Sequence, residues 1–258
     1  MKKQFIYGIT YILFSVISAC TFFIGCAKDI YYSTPLFPEN DTIQGIPKVS
    51  LNDPAIVPVA RNDQWWVDRH NNKINNIINN QKIIFIGNSI TQYWEGTNAW
   101  AALNIKYKNK ITNLGFSGDQ TQHVIWRLEN GEFPAEINPE YVVLMIGTNN
   151  RNESESIAAG IGEIVKIIYW KSPLTKIILL SILPRGNGNN DGNTKRNNAV
   201  NDIIKNYDGY LNIQYVNLGQ YYVDDTGHLR DELFTDKLHL TEAGYVIWEN
   251  KLIEIIGE

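Results

Sequence analysis

The chain has 258 residues, a net charge of -4 at pH 7 and 19% charged residues, which is typical of a folded protein with a sizeable core. The acidic isoelectric point of about 5.6 argues against a nucleic-acid-binding protein, because such proteins carry a basic excess on one face. Both cysteines precede residue 27. Residues 27–258 therefore cannot contain a disulfide framework, a cysteine-ligated zinc or a cysteine nucleophile. We expect neither a metal nor a cofactor.

The N-terminus has the features of an export signal. Two lysines precede an uncharged, largely apolar stretch over residues 4–27, which is typical of a secretory signal and is also long enough for a retained membrane anchor. Small residues before Cys20 and before Cys26 resemble the lipidation site of bacterial lipoproteins. We predict a lipoprotein-type signal peptide over residues 1–26, with an ordinary signal or an uncleaved anchor as the alternatives. All three place the protein outside the cytoplasm, and the first attaches it by a lipid to the bacterial envelope.

The segment after this signal is rich in proline. Five of the nine prolines lie within residues 27–60, where they favour extended backbone and predict a tether or a strap along the surface. Three isoleucines at helical spacing, with Trp65, Trp66 and Val67 ahead of them, then predict an amphipathic helix within residues 71–81. We expect the folded domain to span residues 61–258.

Short apolar runs alternate with longer amphipathic stretches in this domain. The predicted strands are residues 83–86, 111–114, 141–146, 177–182 and 213–216. The predicted helices are residues 119–129, 154–170, 194–207 and 242–256. Apolar strands that alternate with helices indicate a parallel sheet covered on both faces. Because the active site of such a sheet lies at the carboxyl ends of its strands, the residues that follow each strand are the candidates.

Two of these loops carry a serine and a glycine. Ser89 follows the first strand, where a tight turn can project its hydroxyl and the start of the next helix can stabilise an anion. A helix N-cap is the alternative role for this serine. Gly118 follows the second strand and can bring a backbone N–H close to a ligand. The alternative there is an ordinary loop with Asp119 as a helix cap.

The third loop and the C-terminal region complete the candidates. Asn149 follows the third strand and can donate its amide to a developing oxyanion, although asparagine is also common in turns. Asp236 and His239 precede the last predicted helix. A histidine base needs a carboxylate that fixes its tautomer, and two intervening residues can bring such a pair together. A solvent-exposed pair without a function is the alternative.

Together and in this order, the four segments resemble the blocks of the SGNH (GDSL-type) hydrolase family. The resemblance covers about residues 62–258. It implies a three-layer α/β/α fold with a five-stranded parallel sheet of the flavodoxin type. The site residues that it implies are a catalytic triad of Ser89, Asp236 and His239 and an oxyanion hole formed by Ser89, Gly118 and Asn149.

Within this family, three segments look like those of the catalytic subunits of intracellular platelet-activating factor acetylhydrolase. They are residues 118–132, residues 147–150 and residues 183–186. One position departs from the family pattern, because Asn88 precedes the serine where an aspartate is usual. An asparagine carbonyl can still accept a hydrogen bond, but the negative charge beside the serine is lost.

The resemblance implies a serine esterase that acts through an acyl-enzyme on acetyl or similarly short esters. The short spacing between the blocks also leaves little sequence for an apolar tunnel, and export points to O-acetyl groups on carbohydrates as the substrate. Three nearby aromatics, Tyr93, Trp94 and Trp100, could form a wall on which a sugar stacks, or could pack in the core. The alternative functions are a lysophospholipase or thioesterase, a lipid acetylhydrolase of the platelet-activating-factor type and a non-catalytic glycan-binding module. The dimers of the similar subunits imply a homodimer.

Overall fold

The computed structural model describes residues 45–76 and 80–257, which contain a five-stranded sheet between two layers of helices. The strands are β1 (Ile83–Gly87), β2 (Ile111–Gly115), β3 (Tyr141–Met145), β4 (Lys176–Leu180) and β5 (Ile213–Val216). All neighbouring strands are parallel, in the order β2-β1-β3-β4-β5. This is the strand order of flavodoxin-like sheets, so the predicted fold class is confirmed.

Seven α-helices are found in the described part of the chain. They are α1 (Gln64–Asn76), α2 (Ser89–Gln92), α3 (Asn98–Lys106), α4 (Thr121–Arg127), α5 (Ser154–Lys171), α6 (Gly192–Ile204) and α7 (Glu242–Ile256). The last four confirm the predicted helices, α7 with the predicted bounds and the other three with shifted ends, whereas α3 was not predicted. The helix predicted within residues 71–81 begins earlier, at Gln64, because Trp66 and His70 supply its buried face.

The sheet separates two apolar clusters, and the alternation of side chains along β1 shows how. Ile84 and Ile86 belong to the cluster under α4, α5 and α6, whereas Ile83 and Phe85 belong to the cluster under α3 and α7. Successive side chains of a strand point to opposite faces, so a strand covered on both sides is apolar along most of its length. This explains the uninterrupted apolar run that identified β1 in the sequence.

The aromatic residues after β1 divide between core and surface. Trp94 is fully buried, with its ring 4.7 Å from that of Trp248, and Trp100 packs edge-on against Phe85 at 5.3 Å. The expectation of a sugar-stacking wall is therefore wrong for Trp94 and Trp100, which serve the core. Tyr93 remains 47% exposed.

The proline-rich segment lies against the domain over its described part, residues 45–60. Ala55 is fully buried, and its carbonyl accepts a hydrogen bond of 2.8 Å from the Thr121 hydroxyl. The Val59 N–H donates to the Gln122 carbonyl at 3.2 Å. These contacts hold the segment on the first turn of α4. Residues 45–61, which include Arg61 at its end, are called the strap below.

The predicted lipidation sites, Cys20 and Cys26, lie outside the described residues. Among the helices that the structure does describe, none combines the length and the apolar character needed to cross a bilayer.

The short helix α2 lies directly on the end of β2. A Cβ atom on Gly115 would lie 2.3 Å from the Gln92 nitrogen and 2.7 Å from the Thr91 carbonyl carbon. The Asn113 side chain also donates to the Thr91 carbonyl at 2.6 Å. Only a glycine lets the α2 backbone come this close, so Gly115 determines where the helix that carries Ser89 sits.

We expect Gly115→Ala to lower the free energy of unfolding by about 1–3 kcal/mol, because the added methyl group forces α2 away from β2. Gly96→Ala is the matched control, since a Cβ there meets no atom within 4 Å, and it should change the free energy by less than about 0.5 kcal/mol. Urea denaturation measures both. Equal stability of the two variants would show that the contact between α2 and β2 is not constrained.

Candidate active site

Asn88 caps α2 and leaves Ser89 as its first residue. The Asn88 Oδ1 accepts a hydrogen bond of 3.0 Å from the Ile90 N–H, so the helix N-cap is Asn88 and the alternative role of Ser89 does not apply. Asn88 is buried. An asparagine carbonyl thus makes the hydrogen bond that an aspartate could make here, without placing a charge beside the serine.

The structure brings Ser89, His239 and Asp236 into one hydrogen-bonded chain. The His239 Nε2 lies 2.9 Å from the Ser89 Oγ, and the His239 Nδ1 lies 2.7 Å from the Asp236 Oδ2. A neutral imidazole with its proton on Nδ1 donates to the carboxylate and accepts the serine proton at Nε2. The arrangement has the order and the distances of a serine nucleophile, a base and an orienting carboxylate.

The turn from Asp236 to His239 holds this pair in place. Asp236 Oδ1 accepts the backbone N–H groups of Leu238 at 3.1 Å and of His239 at 2.7 Å. Lys237 has a φ of +64°, in the left-handed region that side chains other than glycine rarely adopt. Burial raises the pKa of the Asp236 carboxyl, but the hydrogen bonds from His239 outweigh it and hold the pKa below its ordinary value. The carboxylate therefore stays ionised.

Tyr93 covers the imidazole from the side of α2. Its ring centroid lies 5.0 Å from that of His239, and its hydroxyl lies 3.2 Å from the Ser117 Oγ. Tyr93 thus contacts both His239 and the loop after β2.

That loop, Phe116 to Asp119, is a tight turn. The Asp119 N–H donates to the Phe116 carbonyl at 3.1 Å, and Gly118 has a φ of +78°. A positive φ at the third position defines a type II turn and favours glycine there. In the described part of the chain, the Gly118 N–H has no protein acceptor.

The loop after β3 contacts this turn through Asn149. The Asn149 Nδ2 donates to the Asp119 carbonyl at 3.1 Å, and the Asn149 carbonyl accepts from the Gln120 side chain at 3.0 Å. One hydrogen of the Asn149 amide bonds the turn, and the other is free to donate elsewhere. The turn after β2, which carries Gly118, and the loop after β3, which carries Asn149, are therefore hydrogen-bonded to each other.

A buried ionic network supports the turn, and sequence reasoning missed it. The Asp119 carboxylate accepts from Trp66 Nε1 at 2.8 Å and from Arg127 Nε at 2.9 Å. Arg127 also bonds Glu132, whose carboxylate lies 2.7 Å from the His70 Nδ1. Burial raises the pKa of Asp119, and the Arg127 charge opposes that rise. The proposed helix-cap role of Asp119 is wrong, because Gln120 is the N-cap of α4.

An open cavity of about 340 Å³ borders the turn that holds Asp236 and His239. It is lined by Gly186, Asn187, Asn190, His228, Leu229, Asp231 and Lys237. A larger cavity of about 470 Å³ lies between α6 and the end of β5, and neither cavity has Ser89, Asp236 or His239 in its lining. Within residues 45–76 and 80–257, no group of three or more His, Cys, Asp or Glu side chains is placed to hold a metal ion.

Comparison with known proteins agrees with this geometry. Residues 85–247 match the model of the GDSL-like Lipase/Acylhydrolase family. The chain is 34% identical over 212 residues to the alpha2 subunit of platelet-activating factor acetylhydrolase IB of Rattus norvegicus, which covers 80% of this chain and 91% of that protein. The chain belongs to the GDSL-like lipase/acylhydrolase family. It is therefore an enzyme that hydrolyses ester bonds.

Solved structures of other hydrolases share the fold of this acylhydrolase. A GDSL-like lipase from Bacteroides thetaiotaomicron superposes with a TM-score of 0.63 at 22% identity, covering 73% of this chain and 96% of that one. A variant of an acetyl-xylooligosaccharide esterase from Geobacillus superposes with a TM-score of 0.54 at 20% identity, covering 70% and 96%.

The acidic side of the pH profile tests the His239–Asp236 pair of this acylhydrolase. A histidine must be unprotonated to act as a base, whereas Asp236, with its lowered pKa, stays ionised from about pH 5 to about pH 7. On the acidic side of the profile, we expect log kcat/KM for p-nitrophenyl acetate to rise by about one per pH unit, because the enzyme must lose a single proton, that of His239, to become active. A slope near two, or a flat profile, would contradict the arrangement.

Proposed function

We propose that the protein is a serine esterase with Ser89 as the nucleophile. His239 Nε2 takes the hydroxyl proton as the Ser89 Oγ bonds to the ester carbonyl carbon, and the same imidazole then protonates the departing alcohol. Water, deprotonated by His239, next attacks the acyl carbon. The bond from that carbon to the Ser89 Oγ then breaks, His239 returns its proton to the Oγ, and the carboxylic acid is released. Asp236 fixes the tautomer and stabilises the imidazolium. The observation that carries this proposal is the continuous chain of 2.9 Å and 2.7 Å contacts.

We propose that three donors stabilise the tetrahedral oxyanion. They are the backbone N–H groups of Ser89 and Gly118 and the side-chain amide of Asn149. Ser89 is the first residue of α2, so its N–H has no acceptor within the helix. The hydrogen bond between Asn149 and the Asp119 carbonyl supports this set, because it keeps two of the three donors adjacent.

We propose that the acyl group is acetyl. The curated relative at 34% identity is named an acetylhydrolase, and one structural neighbour is named an acetyl-xylooligosaccharide esterase. A longer acyl chain would gain about 0.8 kcal/mol per methylene only where apolar surface buries it. Leu229 is the one aliphatic side chain in the lining of the cavity next to the Asp236–His239 turn, so an acyl chain that extended into that cavity would gain little.

We propose that the alcohol half of the ester is a carbohydrate. The cavity next to the Asp236–His239 turn supports this, since the amide and charged side chains in its lining can hydrogen-bond sugar hydroxyls. The exposed ring of Tyr93 adds one aromatic surface next to His239. Export with a lipid on Cys26 or Cys20 would place the enzyme where bacteria meet acetylated glycans. Palmitate labelling of Cys20→Ser and Cys26→Ser variants tests that anchor, because the label should be lost only in the variant that lacks the lipidated cysteine.

A lipid acetyl ester is the second candidate. It is favoured by the similarity to the platelet-activating factor acetylhydrolase subunit over 91% of that protein's length. Both candidates share the acetyl group and differ only in the alcohol, so substrates that vary the two halves separately distinguish them.

A series of p-nitrophenyl esters from two to twelve carbons should give the highest kcat/KM with the acetyl ester and a fall of about tenfold or more by eight carbons. Acetylated xylan, O-acetylated sialic acid and a 2-acetyl phospholipid then test the alcohol, and we expect acetate release from a glycan. Best activity on the twelve-carbon ester would refute the acetyl proposal. Acetate release from the phospholipid but from no glycan would refute the carbohydrate proposal.

A further inference from the structure

Arg61, at the end of the strap, reaches the turn after β2. Its Nη1 donates a hydrogen bond of 2.7 Å to the Ser117 carbonyl. A Cβ atom on Gly118 would lie only 2.9 Å from the same Nη1, so the guanidinium lies directly against the Gly118 backbone. Arg61 therefore contacts the peptide unit between Ser117 and Gly118 on its carbonyl side.

The Ser117 carbonyl and the Gly118 N–H belong to one planar peptide unit. In such a unit the two groups point in opposite directions, so fixing the carbonyl also fixes the N–H. Type I and type II turns differ mainly by a reversal of this central peptide. A hydrogen bond to the Ser117 carbonyl thus opposes the reversal that would turn the Gly118 N–H away.

The guanidinium is itself held in a fixed orientation. Asp63 accepts from Arg61 Nε at 2.9 Å, and the fully buried Asp119 carboxylate lies 3.6 Å from Nη1. The exposed ring of Trp65 lies 5.3 Å from the guanidinium carbon. With carboxylates on two sides and a ring against the guanidinium group, Arg61 is a rigid donor for the Ser117 carbonyl.

We propose that Arg61 is a positioning residue that holds the Ser117–Gly118 peptide with its N–H directed at the oxyanion. The charge of the guanidinium also polarises this peptide and strengthens the N–H as a donor. The inference rests on the proposed role of Gly118 in the oxyanion hole. It makes the strap a part of the catalytic unit, since the strap ends at Arg61.

The chain provides a matched control in Arg69 of α1. Arg69 Nε donates to the Gly115 carbonyl at 2.9 Å, and its Nη2 pairs with Glu95 at 3.0 Å. Both arginines thus bond a carbonyl near the end of β2, but only Arg61 bonds the peptide that carries the Gly118 N–H. If Arg61 had a purely structural role, replacing either arginine by methionine would have the same effect on kcat.

The experiment compares wild type, Arg61→Met, Arg61→Lys and Arg69→Met. We measure kcat and KM for p-nitrophenyl acetate per titrated active site, the inhibition constant of a trifluoromethyl ketone and the melting temperature. The ketone adds to a serine and forms an oxyanion, so its affinity reports the oxyanion hole. Loss of one oxyanion donor typically lowers kcat by ~10²–10³. We expect Arg61→Met, which only loosens a donor, to lower kcat by about tenfold with KM within about twofold.

In Arg61→Met, the inhibition constant of the ketone should rise by the same factor. The kcat and the inhibition constant of Arg61→Lys should lie between those of Arg61→Met and wild type. Arg69→Met should keep kcat within about twofold of the wild-type value. Arg61→Met or Arg61→Lys with wild-type kcat and ketone affinity per active site, even at a lower melting temperature, would overturn the inference. If Arg61→Met does not fold, the test rests on Arg61→Lys: wild-type kcat and ketone affinity overturn the inference, whereas a lower kcat with an equally weakened ketone affinity supports it. If the ketone does not inhibit the wild type, the proposed serine mechanism fails instead.

Discussion

The hydrogen bond between Ser89 and His239 joins two residues that are 150 positions apart in the chain. It forms because the end of β1 and the start of α7 meet at one edge of the sheet. Apolar packing fixes that meeting, since the rings of Trp94 and Trp248 lie 4.7 Å apart and the Tyr245 hydroxyl donates to the first turn of α2. The proposed nucleophile and its base therefore depend on the aromatic core on the α7 side of the sheet.

The proposed oxyanion hole depends on a different kind of interaction. Beneath the turn after β2, Asp119 belongs to a fully buried ionic network with Arg127 and Glu132, and above it lies Arg61 of the strap. Buried charges are tolerated only where each has a partner, so breaking one pair leaves an uncompensated charge. The network thus constrains the turn to one arrangement, and Asn149 is bonded to that arrangement. Apolar packing and paired charges thus both contribute to the proposed active site.

The sequence predicted the features whose signals are local. β1, β3 and β4 contain apolar runs, whereas polar residues interrupt β2 and β5. Ser89, Gly118 and Asn149 follow strands whose carboxyl ends meet in any parallel sheet. The features that were missed depend on contacts distant in the chain. The Arg61 side chain contacts Ser117, 56 positions away, and no local pattern shows that. The start of α1 was misplaced for the same reason, because Trp66 in its first turn packs on Phe116 and Trp126, which are distant in the chain.

Covalent labelling of the proposed nucleophile tests the central claim most directly, and the site contains its own rival hydroxyl in Ser117, next to Tyr93. We would incubate the protein with diisopropyl fluorophosphate and locate the adduct by peptide mass spectrometry. The account predicts one adduct per chain, on Ser89, which is absent in Ser89→Ala and retained in Ser117→Ala. An adduct on Ser117, or undiminished labelling and ester hydrolysis in Ser89→Ala, would contradict it.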